Sequence, residues 1–196
     1  FSKGSQRDLA QALANGGLAA VLAGVYFYLP VGWLWAALVG ALATVNADTW
    51  ATELGVLSRT QPRLITNGRV VATGSSGGIT RRGTLAALAG ALLISALAGL
   101  FWISGRNPVP DALWLASAGA LGGLAGAHFD SLLGATVQAI YLCEGCGKET
   151  ERHPLHTCGA ATHRTRGWAW LDNDWVNFLS SGVGAALAAA LFALGV

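Results

Sequence analysis

The chain has 196 residues, of which 53% are hydrophobic and only 11% charged, with a formal net charge of +2. A soluble domain of ordinary composition is about 25% charged, so this chain lacks the charge to clothe a soluble globular enzyme. The same composition excludes intrinsic disorder, a coiled coil and a disulfide-rich mini-protein, and so small a net charge does not point to nucleic acid.

The chain starts at Phe1, with neither an initiator Met nor a signal-peptide pattern; the expectation is a fragment or processed form that lacks membrane segments before Phe1. Apolar blocks follow at 9–29, 31–57, 79–104, 112–142 and 175–196. At about 20 residues per crossing these give about five membrane spans. The second and fourth are long because each ends in a polar stretch that still reads as helix. The fold class is therefore all-α: a polytopic membrane helix bundle, one domain over 1–196, with a small insertion at 143–170. Gly and Ala crowd the helices, as at 85–99 and 116–126, which lets backbones approach closely in lipid.

Basic residues sort by connection. Lys3 and Arg7 precede the first span; Arg59, Arg63, Arg69, Arg81 and Arg82 lie in or beside the second connection; Lys148, Arg152, Arg164 and Arg166 lie in the last. Five spans put these regions on one side, with Arg106 opposite. The positive-inside rule makes that side cytoplasmic and the protein a multi-pass protein of the cell membrane. A basic cytoplasmic face suits anionic lipid or an anionic substrate.

Asp48, Glu53 and Asp130 fall within apolar blocks, where acids are costly and usually functional. Helix rise places Asp48 roughly 15 Å from Arg59 and Asp130 at similar depth. A single acid there can also be a structural residue holding helices together; a set at matched depth on two helices argues for a site. Asn46, Thr49 and Glu53 share one helical face and Asp48 and Thr52 another, with Asp48 and Glu53 about 140° apart. Asp130 and Gly134 share a face, as do Ser131 and Gln138. Asp172, Asn173, Asp174 and Asn177 open the last span, where Asp172 and Asp174 serve equally well as a helix cap and dipole partner. Carboxylates and amides from three helices suit a hard cation such as Mg²⁺.

The stretch Gly74-Ser75-Ser76-Gly77-Gly78-Ile79-Thr80-Arg81-Arg82 opens into a helix. Its amides, the helix dipole and the two arginines can cradle phosphate. A flexible loop with a Ser/Thr cap looks the same, and the Walker A ending is absent.

Cys143, Cys146, His156 and Cys158 have the spacing of a small zinc knuckle, with His153 as the rival imidazole. Four protein ligands make the zinc structural, with iron as an alternative metal and free thiols or a disulfide as alternatives to any metal. His163 and the Trp168–Trp170 pair are expected to pack at the membrane surface.

Asn46-Ala-Asp48-Thr-Trp-Ala-Thr-Glu53, Pro62-Arg-Leu-Ile-Thr66, Gly74-Ser-Ser-Gly-Gly78-Ile-Thr80, Asp130 through Gln138 and Asn173-Asp174-Trp-Val-Asn177 together resemble an integral membrane family that includes the phytyl-phosphate kinase of plant vitamin E synthesis. Lys3 through Asp8 and Asn15-Gly16-Gly17 are similar to that family's region after its first spans. The chain is also loosely similar to dolichol kinases and phosphatidate cytidylyltransferases that use CTP. The resemblance implies phosphoryl transfer from a nucleotide, CTP as the expected donor, to a prenyl monophosphate. On that reading Asp48, Asp130, Glu53 and Asp174 act at the catalytic centre, with Mg²⁺ on Asp48 and Asp130. Asn46, the Gly74–Gly78 loop, Thr80, Arg81, Arg82, Ser131, Gln138, Asn173 and Asn177 bind substrates. The partners are then the nucleotide, the prenyl-phosphate lipid and membrane lipids, with self-association left open. The rival activities are a cytidylyltransferase using the same metal site and a membrane transporter without turnover.

Overall fold

The computed structural model describes residues 9–195 and consists of five long helices with two small sheets in their connections. Helix α1 covers Leu9–Tyr28, α2 Gly32–Gly55, α3 Arg81–Ser104, α4 Val109–Thr136 and α5 Asn173–Gly195. Lys3, Arg7 and the rest of the segment before Leu9 lie outside the described residues, as does Val196. Four helices, α1, α3, α4 and α5, are long and apolar enough to cross a membrane by their own composition. Helix α2 carries Asn46, Asp48, Thr49, Thr52 and Glu53 in its second half, and it is the helix packed against all four others. Its polar residues are affordable because protein, not lipid, surrounds most of it.

The helices run up and down. The end of α2 meets the start of α3 at Gly55 and Gly83, and the Trp114 indole near the start of α4 donates to the Leu191 carbonyl near the end of α5 at 3.0 Å. The core is built largely from alanine and glycine. One cluster, toward the short α3–α4 turn, joins Ala36, Val39, Ala98, Leu115, Ala118 and Phe192; another, toward the long connections, joins Ala43, Ala47, Ala87, Ala91 and Ala127. Between lipid-facing helices there is little hydrophobic driving force, so close van der Waals packing must hold the bundle. Gly184 marks the tightest point of this packing. A Cβ there would run into the Thr44 hydroxyl and lie 3.0 Å from the carbonyl oxygens of both Gly40 and Gly122, forcing α2, α4 and α5 apart. Gly184→Leu should cost at least about 3 kcal/mol, the upper part of the overpacking range, read as a lower melting temperature in detergent. Gly182→Ala, two residues earlier and facing open space, should be neutral or stabilising.

Two expectations are corrected here. The fourth block does not stay helical to Leu142: α4 stops at Thr136, and Ile140–Cys143 is strand β3, paired antiparallel with β4 (Glu149–Thr150) and β5 (Thr162–Arg166). Ile79 does not begin the third helix but forms a short strand, Gly78–Ile79, against Arg63–Leu64, and Thr80 caps α3 by accepting from the Gly83 amide at 3.0 Å. Asp48 and Asp130 do lie at matched positions, seven residues before Gly55 and six before Thr136. Both are therefore about 10 Å from their helix ends, shallower than the roughly 15 Å expected for Asp48.

Candidate functional site: an acidic centre and a cysteine-histidine cluster

The ends of α2 and α4, the starts of α3 and α5, and both long connections meet at one end of the bundle. The described basic residues of those connections lie here, while Arg106 sits in the α3–α4 turn at the other end. The Gly-Ser loop folds down onto α4. Gly74 and Gly77 have φ of +87° and +80°, and Gly77 packs so closely on Ala135 that no side chain fits. The Ser75 and Gly78 amides are used within the turn, bonding Ala72 and Ser75 carbonyls. The Ser76 hydroxyl donates to Gln138 Oε1 at 2.6 Å, and Gln138 Nε2 donates to Glu151 Oε1 at 3.0 Å. Gln138 is 1% exposed. One buried amide thus joins the Gly-Ser loop, the end of α4 and the connection before α5. Arg166 braces the same corner by donating to the Gly134 carbonyl at 2.8 Å.

Three carboxylates converge beneath this junction. Asp130 on α4 feels the charges of Asp48 on α2 and of Glu151, and Asp48 feels Glu151 in turn. Asp130 Oδ2 and the Ser180 hydroxyl beside it on α5 are both buried, and neither makes a hydrogen bond of good geometry. An orphaned buried carboxylate oxygen among like charges is the donor arrangement that a hard cation satisfies. The acids are not drawn into a closed cage; among the described residues only the cysteine cluster brings three or more such ligand atoms within 4.8 Å. That openness fits Mg²⁺, which keeps several waters and is held by one or two carboxylates plus substrate phosphates. Burial pushes the Glu151 carboxyl above its usual range, opposed by the Gln138 hydrogen bond and reinforced by Asp172 and Asp174.

The cysteine cluster forms where the end of β3 and the β3–β4 turn meet the segment between β4 and β5. Its three sulfurs are 3.3–3.5 Å apart, and His156 Nδ1 lies 3.2 Å from both Cys146 and Cys158. Four ligands of a tetrahedral zinc would be about 3.7 Å apart, so the set closes on one point. Packed against Cys158 and Cys143, the Cys146 thiol is pushed up to about 12, and a divalent cation is what converts such a set into thiolates. The cysteines form no disulfide. His156 Nε2 lies 3.3 Å from the Thr157 hydroxyl, an outer contact that orients the ring. His153, the rival ligand, stacks on Tyr141 instead, with centroids 4.8 Å apart.

Residues 1–185 match the integral membrane protein family DUF92. This chain belongs to that family. It is 37% identical over 199 residues to Protein PGR of Arabidopsis thaliana, covering 92% of this chain and 67% of the plant protein. A membrane protein of Methanocaldococcus jannaschii, described as uncharacterised, is 39% identical over 129 residues, covering 66% of this chain and 50% of the archaeal one. No solved structure matches.

The DUF92 chain distributes the other expected site residues unevenly. Asn46 donates to the Gly90 carbonyl at 2.8 Å and so ties α2 to α3. Ser131 turns back onto the Ala127 carbonyl of its own helix at 3.3 Å. Arg82 donates to the Leu57 carbonyl at 2.9 Å, steadying the end of α2, whereas Arg81 is exposed beside the loop. Asp172 caps α5, accepting from the Trp175 amide at 3.1 Å; Asn173 and Asp174 form its first turn, and the Asn177 carbonyl accepts from Ser181. Glu53 is exposed on α2, on a face turned away from Asp48. His163 lies 3.4 Å from Glu144, an exposed pair. Trp168 and Trp170 are exposed and stacked, and Trp175 and Phe178 extend the aromatic row. Glu151 was not among the expected residues: it sits in Lys148-Glu-Thr-Glu-Arg152, a polar run where an acid carries no distinguishing signal.

Proposed function

We propose that this chain is a membrane kinase that transfers the γ-phosphoryl group of a nucleotide, CTP by preference, to a prenyl monophosphate such as phytyl or geranylgeranyl phosphate. The observation that carries the reading is the convergence of Asp48, Asp130 and Glu151 beneath the Gly-Ser loop, with the Asp130 oxygen buried and unpartnered. It is supported by the motif resemblance to a family with a phytyl-phosphate kinase, and by an acidic centre placed where helices give way to a basic surface. Both substrates are anionic at the reacting end and one has an apolar tail, so a site at the bundle end admits both.

In this reading Asp48 and Asp130 hold Mg²⁺, which when bound offsets the charge of the phosphates. The Ser75 hydroxyl, the loop amides not used within the turn and the Arg81 guanidinium hold phosphate oxygens. An oxygen of the acceptor phosphate attacks the γ-phosphorus, the bond to the β-phosphate oxygen breaks, and the nucleoside diphosphate leaves. The acceptor is already ionised, so no strong base is required; positioning and electrostatics supply the rate. The Cys₃His cluster, held as a closed set, is a structural zinc site.

Purified full-length protein incubated with Mg²⁺, each nucleoside triphosphate and each prenyl phosphate should yield a lipid diphosphate by mass. A CDP-linked lipid with pyrophosphate would make it a cytidylyltransferase instead, and ion-dependent flux without nucleotide consumption a transporter. In this reading the basic end faces the cytoplasm. Arg63→Cys and Arg164→Cys should resist impermeant labelling of intact cells, while Arg106→Cys should label; opposite accessibility of positions 63 and 164 would break the five-span topology.

A further inference from the structure

We infer that Glu151 is the third carboxylate of the cation site and that the Cys143, Cys146, His156 and Cys158 knuckle is what positions it there. The inference rests on the cation site of the proposed function and adds a residue and a dependence that the site alone does not require.

Glu151 follows β4 directly and lies between the two ligand pairs in sequence. On one side the hairpin holding Cys143 and Cys146 fixes β4 through the Tyr141–Thr150 and Leu142–Glu149 pairs, with the Cys143 amide bonded to the Lys148 carbonyl at 3.0 Å. On the other side the chain returns at once toward the His156–Cys158 pair. Thr162 Oγ1 donates to the carbonyls of Arg152 and Pro154, each at 3.1 Å, and the His156 amide bonds the Ala160 carbonyl at 2.9 Å. A metal on the four ligands cross-links these two arms of short, two-residue-scale pairing, which have little apolar core of their own. Glu151 is the residue at their junction that points inward. It meets Gln138, and through Gln138 Ser76 of the Gly-Ser loop.

The side chain sits among like charges. Asp48 and Asp130 feel it, and it feels Asp172 and Asp174. A carboxylate serving only as a structural acceptor for Gln138 would be better replaced by an amide, since nothing in that role requires a charge that repels its neighbours. A carboxylate kept in this position is explained by a cation that the three acids share, with Asp130 Oδ2 as its unpartnered buried donor. The soft cluster and the hard site then divide their metals by ligand chemistry, thiolate and imidazole for zinc, oxygen for Mg²⁺ or Mn²⁺.

The test uses Mn²⁺ as the probe, titrated into the purified full chain in detergent without nucleotide or lipid and read by the loss of the free-ion EPR signal. Glu151→Gln should weaken Mn²⁺ binding at least tenfold while retaining one zinc per chain. Wild-type protein stripped of zinc by a chelator and dialysed should show the same loss, recovered on adding zinc back. Glu149→Gln, on the exposed side of β4, should bind Mn²⁺ as wild type does. In Mn²⁺-free buffer Glu151→Gln should melt at or above the wild-type temperature, with the order reversed in millimolar Mn²⁺. Wild-type Mn²⁺ affinity in Glu151→Gln, or in zinc-stripped protein, would overturn the inference, as would wild-type protein that binds no Mn²⁺. Because no substrate is present, absence of lipid diphosphate in the kinase assay bears on the kinase reading alone.

Discussion

Asp48→Asn and Asp130→Asn are each expected to nearly abolish turnover while leaving the protein folded. The two acids stand on different helices at matched positions and feel each other's charge. Asn keeps the volume and some hydrogen bonding but removes the charge that would hold Mg²⁺ in the proposed site. Losing a direct ligand should cost about 4 kcal/mol of transition-state stabilisation, roughly a thousandfold in kcat. Stability should move the other way or not at all, because a neutral isostere removes a buried charge from a crowded acidic centre. Steady-state kinetics with a Mg²⁺ titration, together with thermal melts, reads both effects. Glu53→Gln is the internal control: Glu53 is exposed, and its loss should change kcat by less than about threefold. Near-normal activity in Asp48→Asn or Asp130→Asn, with unchanged Mg²⁺ dependence, would remove that residue from the site.

Cys146→Ser should lose the single metal of the knuckle and unravel the connection between α4 and α5, while the helix bundle persists. Structural zinc sites contribute on the order of 10–16 kcal/mol of apparent binding free energy in small metal-folded domains. The three-stranded sheet has strands of only four, two and five residues, too short to stand alone. Elemental analysis should find one zinc per wild-type chain and none in the variant. Limited proteolysis should cut the variant between 143 and 170 long before the helices. Carefully purified wild-type protein containing neither zinc nor iron would contradict the assignment.

The helices were legible because apolar blocks of span length leave few alternatives, and because eleven of twelve Lys and Arg residues fall in regions separated by two spans each, which five spans bring to one side. The end of α4 was not. Residues 137–142 read Val-Gln-Ala-Ile-Tyr-Leu, a short apolar run that serves a helix or a strand equally well. What decides it is pairing with Thr162–Arg166, some twenty residues away and invisible to a local reading. Asp48 and Asp130 stood out because an acid in an apolar block has no cheap explanation. Glu151 did not, because its neighbours are charged and its burial comes from the return of the chain over the bundle end. The choice of His156 over His153 followed from ligand spacing alone, since the turn Thr157 provides brings Cys158 beside the ring. The helical face expected to carry Gln138 does not extend that far: the helix stops two residues earlier, and the turn aims the Gln138 amide between Ser76 and Glu151.

The central claim is that the γ-phosphoryl group, and no other part of the nucleotide, reaches the lipid. Incubating the full-length protein with Mg²⁺, geranylgeranyl phosphate and CTP labelled at either the γ- or the α-phosphorus tests it directly. The expected result is a lipid diphosphate labelled from γ-labelled CTP and unlabelled from α-labelled CTP, with the γ-derived label lost in Asp130→Asn. Label entering the lipid from the α-position, or no label from either, would contradict it.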